Sequence, residues 1–215
     1  MKNLSPFYET FYAAINSTWP MLTLFAVILI TLKLSRVFIN KDKFIFYKEF
    51  YNLLFIIYIL LLYHLLLSTE NAASGMNLVP FREMTRYSIG SKAFFYNVIG
   101  NIALFIPFGY FVSDYLKAKE IHHILLVSIL ISLTAELIQF KIGRAFDIDD
   151  IILNVLGSII GFMVYISVRA VKNHLPDFLQ NNIFYNLLAI LVIIILIVLF
   201  GNIWGFYIWK KIIIQ

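Results

Sequence analysis

Long apolar runs separated by short polar connections make up most of this chain. Uncharged runs of about 20 residues are long enough to cross a bilayer as α-helices. The pattern predicts an all-α fold, a polytopic integral membrane helical bundle of about six transmembrane helices. The predicted spans are Phe11–Leu32, Phe50–Ser68, Ala93–Ser113, Ile121–Phe140, Ile151–Val168 and a run inside Phe178–Trp209 that is most apolar over Ile183–Phe200. Five spans are the alternative, with the first helix lying in the membrane interface.

Composition favours a membrane protein and excludes several kinds of chemistry. Hydrophobic residues form 61% of the chain and charged residues 13%, whereas a soluble domain is nearer half apolar and a quarter charged. The chain has no cysteine, so disulfides, thiolate catalysis and cysteine-ligated zinc are excluded. The net charge is +5, but the basic residues flank apolar runs, which indicates membrane lipid rather than nucleic acid as a partner.

No polar stretch is long enough to form a soluble core, so no soluble domain is predicted. We divide the chain into three predicted membrane segments. Residues 1–49 form an N-terminal transmembrane helix with a basic cytoplasmic loop. Residues 50–170 form a four-helix membrane core, and residues 171–215 form a C-terminal transmembrane anchor.

The first loop decides the predicted orientation, because the other loops give only a weak bias. The loop after the first span contains the basic residues Arg36, Lys41, Lys43 and Lys48. The positive-inside rule places that loop in the cytoplasm. The connections 69–92 and 141–150 are separated by two spans, so they share one face of the membrane in either orientation. We predict that this face is extracytoplasmic.

Polar side chains, which are costly at membrane depth, converge on this shared face. Steps of three and four residues align such side chains along single helix faces. The aligned residues are Asn97 and Asn101 on the third span, Ser128, Ser132, Glu136 and Gln139 on the fourth, and Asp150, Asn154, Gly157 and Gly161 on the fifth. We predict one site whose ligand-binding residues are Arg82, Arg86, Asn97, Asn101, Glu136, Gln139, Arg144, Asp150 and Asn154. The amide side chains have an alternative role as hydrogen bonds between helices.

Glu136 is the best candidate for a chemical role. A carboxylate below the interface needs a cation or a proton, and Arg82, Arg86 and Arg144 are the guanidinium groups available on that face. The alternative is a structural ion pair that fixes helix packing. Glu136 is also the candidate general base, although the sequence leaves open whether the chain is an enzyme.

The acids of the DIDD segment have a structural and a metal-binding interpretation. Asp147 suits the N-cap of the fifth helix and Asp150 its third position, where acids complement the helix dipole. Asp149 and Asp150 are weak candidates for holding Mg²⁺ or Ca²⁺. No cofactor is otherwise expected.

Glycine and proline add two expectations about the backbone. Gly157 and Gly161 have the spacing that lets another helix approach closely, so the fifth span is expected to pack against the third or fourth. Pro107 lies inside the third span, where it predicts either a kinked or unwound turn that lines a cavity, or a harmless kink.

Four motifs in order resemble the VanZ-like family of bacterial membrane proteins. They are NLVPF, NVIGNIALFIPFG, SLTAELIQF and GRAFDIDDIILNVLGSIIG, between Asn77 and Gly161. The family pattern falls on Asn77, Pro80, Phe81, Asn97, Asn101, Phe105, Pro107, Gly109, Glu136, Gln139, Arg144, Asp147, Asp150, Asn154, Gly157 and Gly161. The chain departs from the shortest members by an extra N-terminal span and a long cytoplasmic loop.

The resemblance implies a bacterial inner-membrane protein that lowers susceptibility to teicoplanin-type lipoglycopeptides by an undefined mechanism. We favour a polar pocket in the outer half of the bilayer that binds an anionic lipid-like or lipid-linked ligand. The first alternative is a membrane transferase or hydrolase acting on a lipid headgroup or a lipid-linked cell-wall precursor. The second is a small lipid transporter or scramblase. The sequence leaves the ligand and the oligomeric state open.

Overall fold

A computed structural model shows a chain that is helical over most of its length. It describes residues 6–41, 43–67 and 75–213, and the side chains of residues 15, 17–41, 43–66 and 75–198. In chain order the elements are α1 (Pro6–Asn40), α2 (Phe46–Leu67), β1 (Met76–Asn77), α3 (Arg82–Arg86), α4 (Lys92–Phe94), a π-helical turn (Phe95–Ile99), α5 (Gly100–Leu116), α6 (Ile121–Lys141), β2 (Phe146–Asp147), α7 (Ile148–His174), α8 (Asp177–Gln180) and α9 (Asn182–Ile213).

Five helices in the described part of the chain are long and apolar enough to cross a membrane. They cover Ser17–Asn40, Phe46–Leu66, Lys92–Leu116, Ile121–Lys141 and Ile148–His174. The all-α membrane bundle is therefore confirmed, with helix boundaries that differ from the predicted ones by several residues. The sixth predicted run lies in α9, where the side chains after Val198 are outside the described residues.

The described residues within 6–28 and 55–171 form one compact unit. Its apolar core includes Leu62 of α2 and Phe105 of α5, which are 4% and 0% exposed. The hydroxyl of Tyr58 donates to a backbone carbonyl of α5 at 2.6 Å. Because a polar group at membrane depth needs a partner inside the protein, this bond lets tyrosine pack in the core between α2 and α5.

Within this unit, α5 and α7 pack backbone against backbone. A Cβ added at Gly157 would meet the carbonyl oxygen of Ile102, and one added at Gly161 would meet that of Ile106. Gly109 of α5 contacts the backbone of α7 in the same way. The predicted close packing of the glycine pair is confirmed, and its partner is α5. Small residues at such an interface allow the van der Waals contacts that hold helices together in lipid.

The irregular part of the third span is the π-helical turn at Phe95–Ile99. α5 continues as an α-helix through Pro107, so the expectation of an unwound turn at the proline is wrong. A π-helical turn adds one residue to a single turn of helix. It therefore rotates α4 relative to α5 and changes which side chains of this segment share a face.

The described residues within 29–54 and 172–213 form a second compact unit. The backbone N–H of Tyr47 donates to Oδ1 of Asn186 at 3.0 Å. The rings of Tyr47 and Tyr185 lie 5.2 Å apart, centre to centre. Aromatic side chains with polar tips are typical of the membrane–water interface, which fits the ends of α2 and α9 that meet here.

Candidate functional site

The two polar connections of the first unit meet at one surface. β1 and β2 pair in parallel, with Met76 opposite Phe146 and Asn77 opposite Asp147. The N–H of Phe146 also donates to the carbonyl of Gly75 at 3.0 Å. The prediction that these connections share a face is therefore confirmed by direct contact, for the residues from Gly75 onward.

Asp149 attaches the first connection to α7. Asp149 is buried and is only 1% exposed. Oδ1 accepts the N–H of Phe81 at 2.5 Å, and Oδ2 accepts those of Glu83 at 2.8 Å and Met84 at 3.1 Å. The first amides of a helix have no partner within that helix. Asp149 therefore caps α3 from a different helix and fixes the loop over the start of α7.

The residue before α3 has a backbone conformation that needs support. Phe81 has φ 67° and ψ 4°, in the left-handed region that bulky residues rarely occupy. A residue held there costs about 1–3 kcal/mol and persists only where its surroundings hold it. The bond from the Phe81 amide to Asp149, 68 residues later in the chain, is one such contact. The turn into α3 therefore depends on α7.

Asp147 joins β1 to the start of α7. Its Oδ1 accepts the N–H of Asp149 at 2.8 Å, which confirms the predicted N-cap of a helix that begins at Ile148. The same oxygen accepts the side-chain amide of Asn77 at 2.9 Å. Burial raises the pKa of Asp147 above its ordinary value of 3.8, and the two hydrogen bonds oppose this rise.

Glu136 lies near the end of α6 and is 2% exposed. Its Oε2 accepts the backbone N–H of Asp147 at 3.0 Å. In the part of the chain that the structure describes, no arginine lies within ion-pair distance of Glu136. Arg144 acts on it electrostatically without touching it. The predicted guanidinium contact is therefore wrong, because the backbone leading into α7 takes that place.

Asp150 is the third residue of α7, as predicted. Asn101 of α5 donates from Nδ2 to Oδ1 of Asp150 at 2.6 Å, and to the carbonyl of Asn97 at 3.0 Å. Asn97 is exposed, and its own amide donates to the carbonyl of Ala93 on the same helix. Asn101 therefore belongs to the site, whereas Asn97 contributes only a backbone oxygen. We call Glu136, Asp147, Asp149 and Asp150 the carboxylate cluster.

One turn below the cluster, α6 and α7 face each other through amide and hydroxyl groups. Nδ2 of Asn154 donates to Oγ of Ser132 at 2.9 Å. These residues lie four positions from Asp150 and Glu136, so the two carboxyl groups occupy the next turn of the same interface. The predicted one-sided arrangement is confirmed, because the following residues are at most 3% exposed: Ser128, Ser132, Glu136, Gln139 and Asn154.

Arg144 and Gln139 cap the C-terminal end of α2. Nη1 of Arg144 and Nε2 of Gln139 both donate to the carbonyl of Leu66, at 3.3 Å and 2.7 Å. The last carbonyls of a helix lack partners within it. The observed contacts of both side chains are therefore structural, which favours the alternative role of Gln139 as a link between helices.

The exposed charges of this surface are mainly basic. Arg82, Arg86, Lys92 and Lys141 are exposed, whereas the acids of the carboxylate cluster are buried or half-buried. Arg86 pairs with Glu83 at 3.1 Å, three residues before it. The Arg82 side chain has no hydrogen bond or ion pair with any residue that the structure describes. Neither arginine approaches Glu136, because α3 carries both of them on the solvent side of the loop.

The contacts of the cluster do not favour a metal centre. Among the described residues, no group of three or more His, Cys, Asp or Glu side chains is arranged to hold a metal ion. Asp149 uses both oxygens on backbone amides, and Asp150 accepts from Asn101. The weak metal candidates Asp149 and Asp150 are thus engaged in structural hydrogen bonds.

Replacing Asp147 with asparagine is expected to change how stability depends on pH. Because burial raises the pKa of Asp147, its contribution to stability is fully present below its ordinary pKa and is lost as pH rises through the raised one. The stability of the parent relative to D147N should therefore increase as pH falls. Thermal unfolding of both proteins in detergent, between about pH 3 and pH 8, measures this, and a constant difference would contradict it.

Membrane-length helices around a buried polar cluster under one surface define a polytopic membrane protein. A known family matches the chain over residues 21–172, which include every residue of this site. The chain belongs to the VanZ/LLP1 family, which confirms the resemblance drawn from the four motifs. No curated protein sequence and no solved structure matches the chain.

Several contacts of the site were not predicted from the sequence. They are the β1–β2 pair, the identity of Ser132 as the partner of Asn154, and the capping of α3 by Asp149. The helical spacing does place Ser132 on a polar face of α6, and this spacing is the sequence signal that indicates a polar partner for Asn154. The capping of α3 has no comparable signal, because it depends on the left-handed conformation of Phe81.

Proposed function

We propose that this protein binds the anionic headgroup of a lipid or lipid-linked precursor at the surface above the carboxylate cluster. Arg82, Lys92 and Lys141 contact the headgroup, and exposed apolar side chains of the 75–91 connection contact the hydrocarbon chain. On the extracytoplasmic face, this binding changes the access of teicoplanin-type lipoglycopeptides to their lipid-linked targets and so lowers susceptibility.

The observation that carries this proposal is the separation of charge at one surface. The four acids accept hydrogen bonds from backbone and side-chain amides inside the protein, while the basic side chains remain exposed. A basic residue near an anionic membrane surface contributes about 1 kcal/mol to binding. The guanidinium group of Arg82 suits two phosphate oxygens, since its donors form a planar fork.

Apolar side chains beside these cations favour an amphiphile over a free anion. Leu78, Phe81 and Ile89 are 59%, 58% and 90% exposed, and Phe95 of the π-helical turn is 55% exposed. Basic and bulky apolar side chains together are typical of segments that lie at a bilayer interface. A ligand with a phosphate group and a hydrocarbon chain is complementary to both parts of this surface.

The double variant R82Q/K92Q is expected to bind anionic lipid about thirtyfold more weakly, since two cations contribute about 2 kcal/mol. The protein is placed in nanodiscs of phosphatidylcholine with increasing phosphatidylglycerol. Native mass spectrometry then counts the phosphatidylglycerol molecules retained after mild release from the disc.

The matched control is K119Q/R169Q, which also removes one lysine and one arginine. Both are exposed and lie near the opposite ends of α6 and α7. Equal retention by the two double variants contradicts the headgroup site. Teicoplanin susceptibility of cells expressing each protein at the same level tests the second part of the proposal, and a parent that gives no protection contradicts that part alone.

A further inference from the structure

We propose that Asp149 is the positioning residue of the headgroup surface. This inference rests on the function proposed above. Through its three amide contacts, Asp149 holds the loop that carries Arg82 and the exposed apolar side chains. Asp149 acts without contacting the ligand itself, because it is buried and both of its oxygens accept backbone amides.

The contacts of Asp149 concentrate on the segment that carries the ligand-facing side chains. The accepted amides belong to Phe81, Glu83 and Met84, at 2.5, 2.8 and 3.1 Å, so they bracket Arg82 on both sides. A carboxylate is suited to this task, because three N–H groups converge on it and need acceptors. An ionised carboxylate has two acceptor oxygens and carries no donor of its own. Charge-assisted hydrogen bonds of this kind are among the stronger ones in proteins.

On either side of this segment, few hydrogen bonds attach the described residues of the loop to the bundle. Before it, β1 pairs over only two residues and Asn77 donates to Asp147. After it, the 87–91 stretch has Gly90 at φ 86° and Ile89 at 90% exposure. In α3, Glu83 pairs with Arg86, a bond within the loop that does not attach it to the bundle. Loss of the Asp149 contacts should therefore release α3 while the helices below remain packed.

The experiment measures loop order and lipid retention in the same full-length proteins. A nitroxide label is attached to S88C in the cysteine-free chain, and a second protein carries it at V164C on α7, as a reference for the bundle. Parent, D149N and D149A versions are reconstituted in the phosphatidylcholine–phosphatidylglycerol nanodiscs. The control is D114N, which removes an acid that pairs with Lys117 at the other end of α5.

Label mobility at S88C is expected to increase from parent to D149N to D149A. Asparagine keeps one acceptor oxygen, whereas alanine keeps none. Mobility at V164C should stay constant, and D114N should resemble the parent at both labels. Retention of phosphatidylglycerol by D149A should fall about fivefold, as for the loss of one cation.

Two outcomes at the loop overturn the inference, and a third at the V164C label does so as well. One is an S88C label that remains as ordered in D149A as in the parent. The other is a mobile loop in D149A with unchanged lipid retention, in a protein whose retention does fall with R82Q/K92Q. Failure of the proposed function is distinct, because R82Q/K92Q itself then leaves lipid retention unchanged. A mobile V164C label shows a general loss of folding, which assigns Asp149 to bundle stability and also contradicts the positioning role.

Discussion

Replacing Gly161 with alanine is expected to destabilise the bundle by more than about 3 kcal/mol, beyond the usual cost of overpacking a core. The added methyl group would meet the carbonyl oxygen of Ile106 and the backbone N of Tyr110 on α5. Backbone atoms cannot move aside as a flexible side chain can, so α5 and α7 must separate along their contact. G109A should act in the same way from the other helix. Unfolding in a series of detergent and SDS mixtures, followed by circular dichroism, gives the free energy of unfolding.

The matched control for these variants is G75A. A Cβ at Gly75 meets nothing within 4 Å, and this position lies outside the helices, so its stability should stay within about 0.5 kcal/mol of the parent. The comparison of G161A with G75A tests whether α5 and α7 pack closely in the folded protein. If G161A and G75A unfold at the same SDS fraction, the close approach of α5 and α7 is not present in the folded protein.

A cysteine introduced at Ser88 is expected to react completely with an impermeant maleimide added outside intact cells. Ser88 is exposed in the connection before α4, and the positive-inside rule applied to the basic first loop predicts that this connection lies on the extracytoplasmic side. The native chain contains no cysteine, so all labelling reports the introduced residue. Gel shift after reaction with a large maleimide conjugate measures the labelled fraction.

The partner variant K119C reports the opposite face. Lys119 is exposed in the short connection between α5 and α6, one membrane crossing away from Ser88. It should react only after the cells are opened. Labelling of K119C in intact cells, with S88C protected, would show that the orientation is opposite to the predicted one. The proposed headgroup surface would then lie on the cytoplasmic side of the membrane.

The membrane fold could be predicted from the sequence because hydrophobic length is a direct physical requirement. A helix that crosses a bilayer must bury its backbone bonds in an apolar run of fixed length, and five such helices were found where the runs lie. The glycine pair Gly157 and Gly161 also identified a close helix contact, because only a missing side chain permits it. The π-helical turn at Phe95–Ile99 had no such signal, and Pro107 pointed to a different turn.

The sequence predicts where the polar residues of the site lie, but not which groups they contact. Helical spacing placed Glu136, Asn154 and Asp150 on facing surfaces, and the structure confirms that placement. Their partners depend on loop geometry. The main-chain amide of Asp147 takes the oxygen of Glu136 that an arginine was expected to contact. Pairing by charge alone overlooks backbone N–H groups, which are strong donors and are present at nearly every residue.

The parallel pairing of β1 with β2 has a consequence for biogenesis. Asn77 and Asp147 are 70 residues apart in the chain, and two membrane crossings lie between them. Contacts between residues this far apart form slowly, because they must offset the entropy of closing the intervening loop. The site can therefore be assembled only when α5 and α6 have both inserted and returned the chain to its starting side. A nascent chain that has inserted this hairpin incorrectly cannot make the pair, so the surface above the carboxylate cluster stays unformed until the topology is correct.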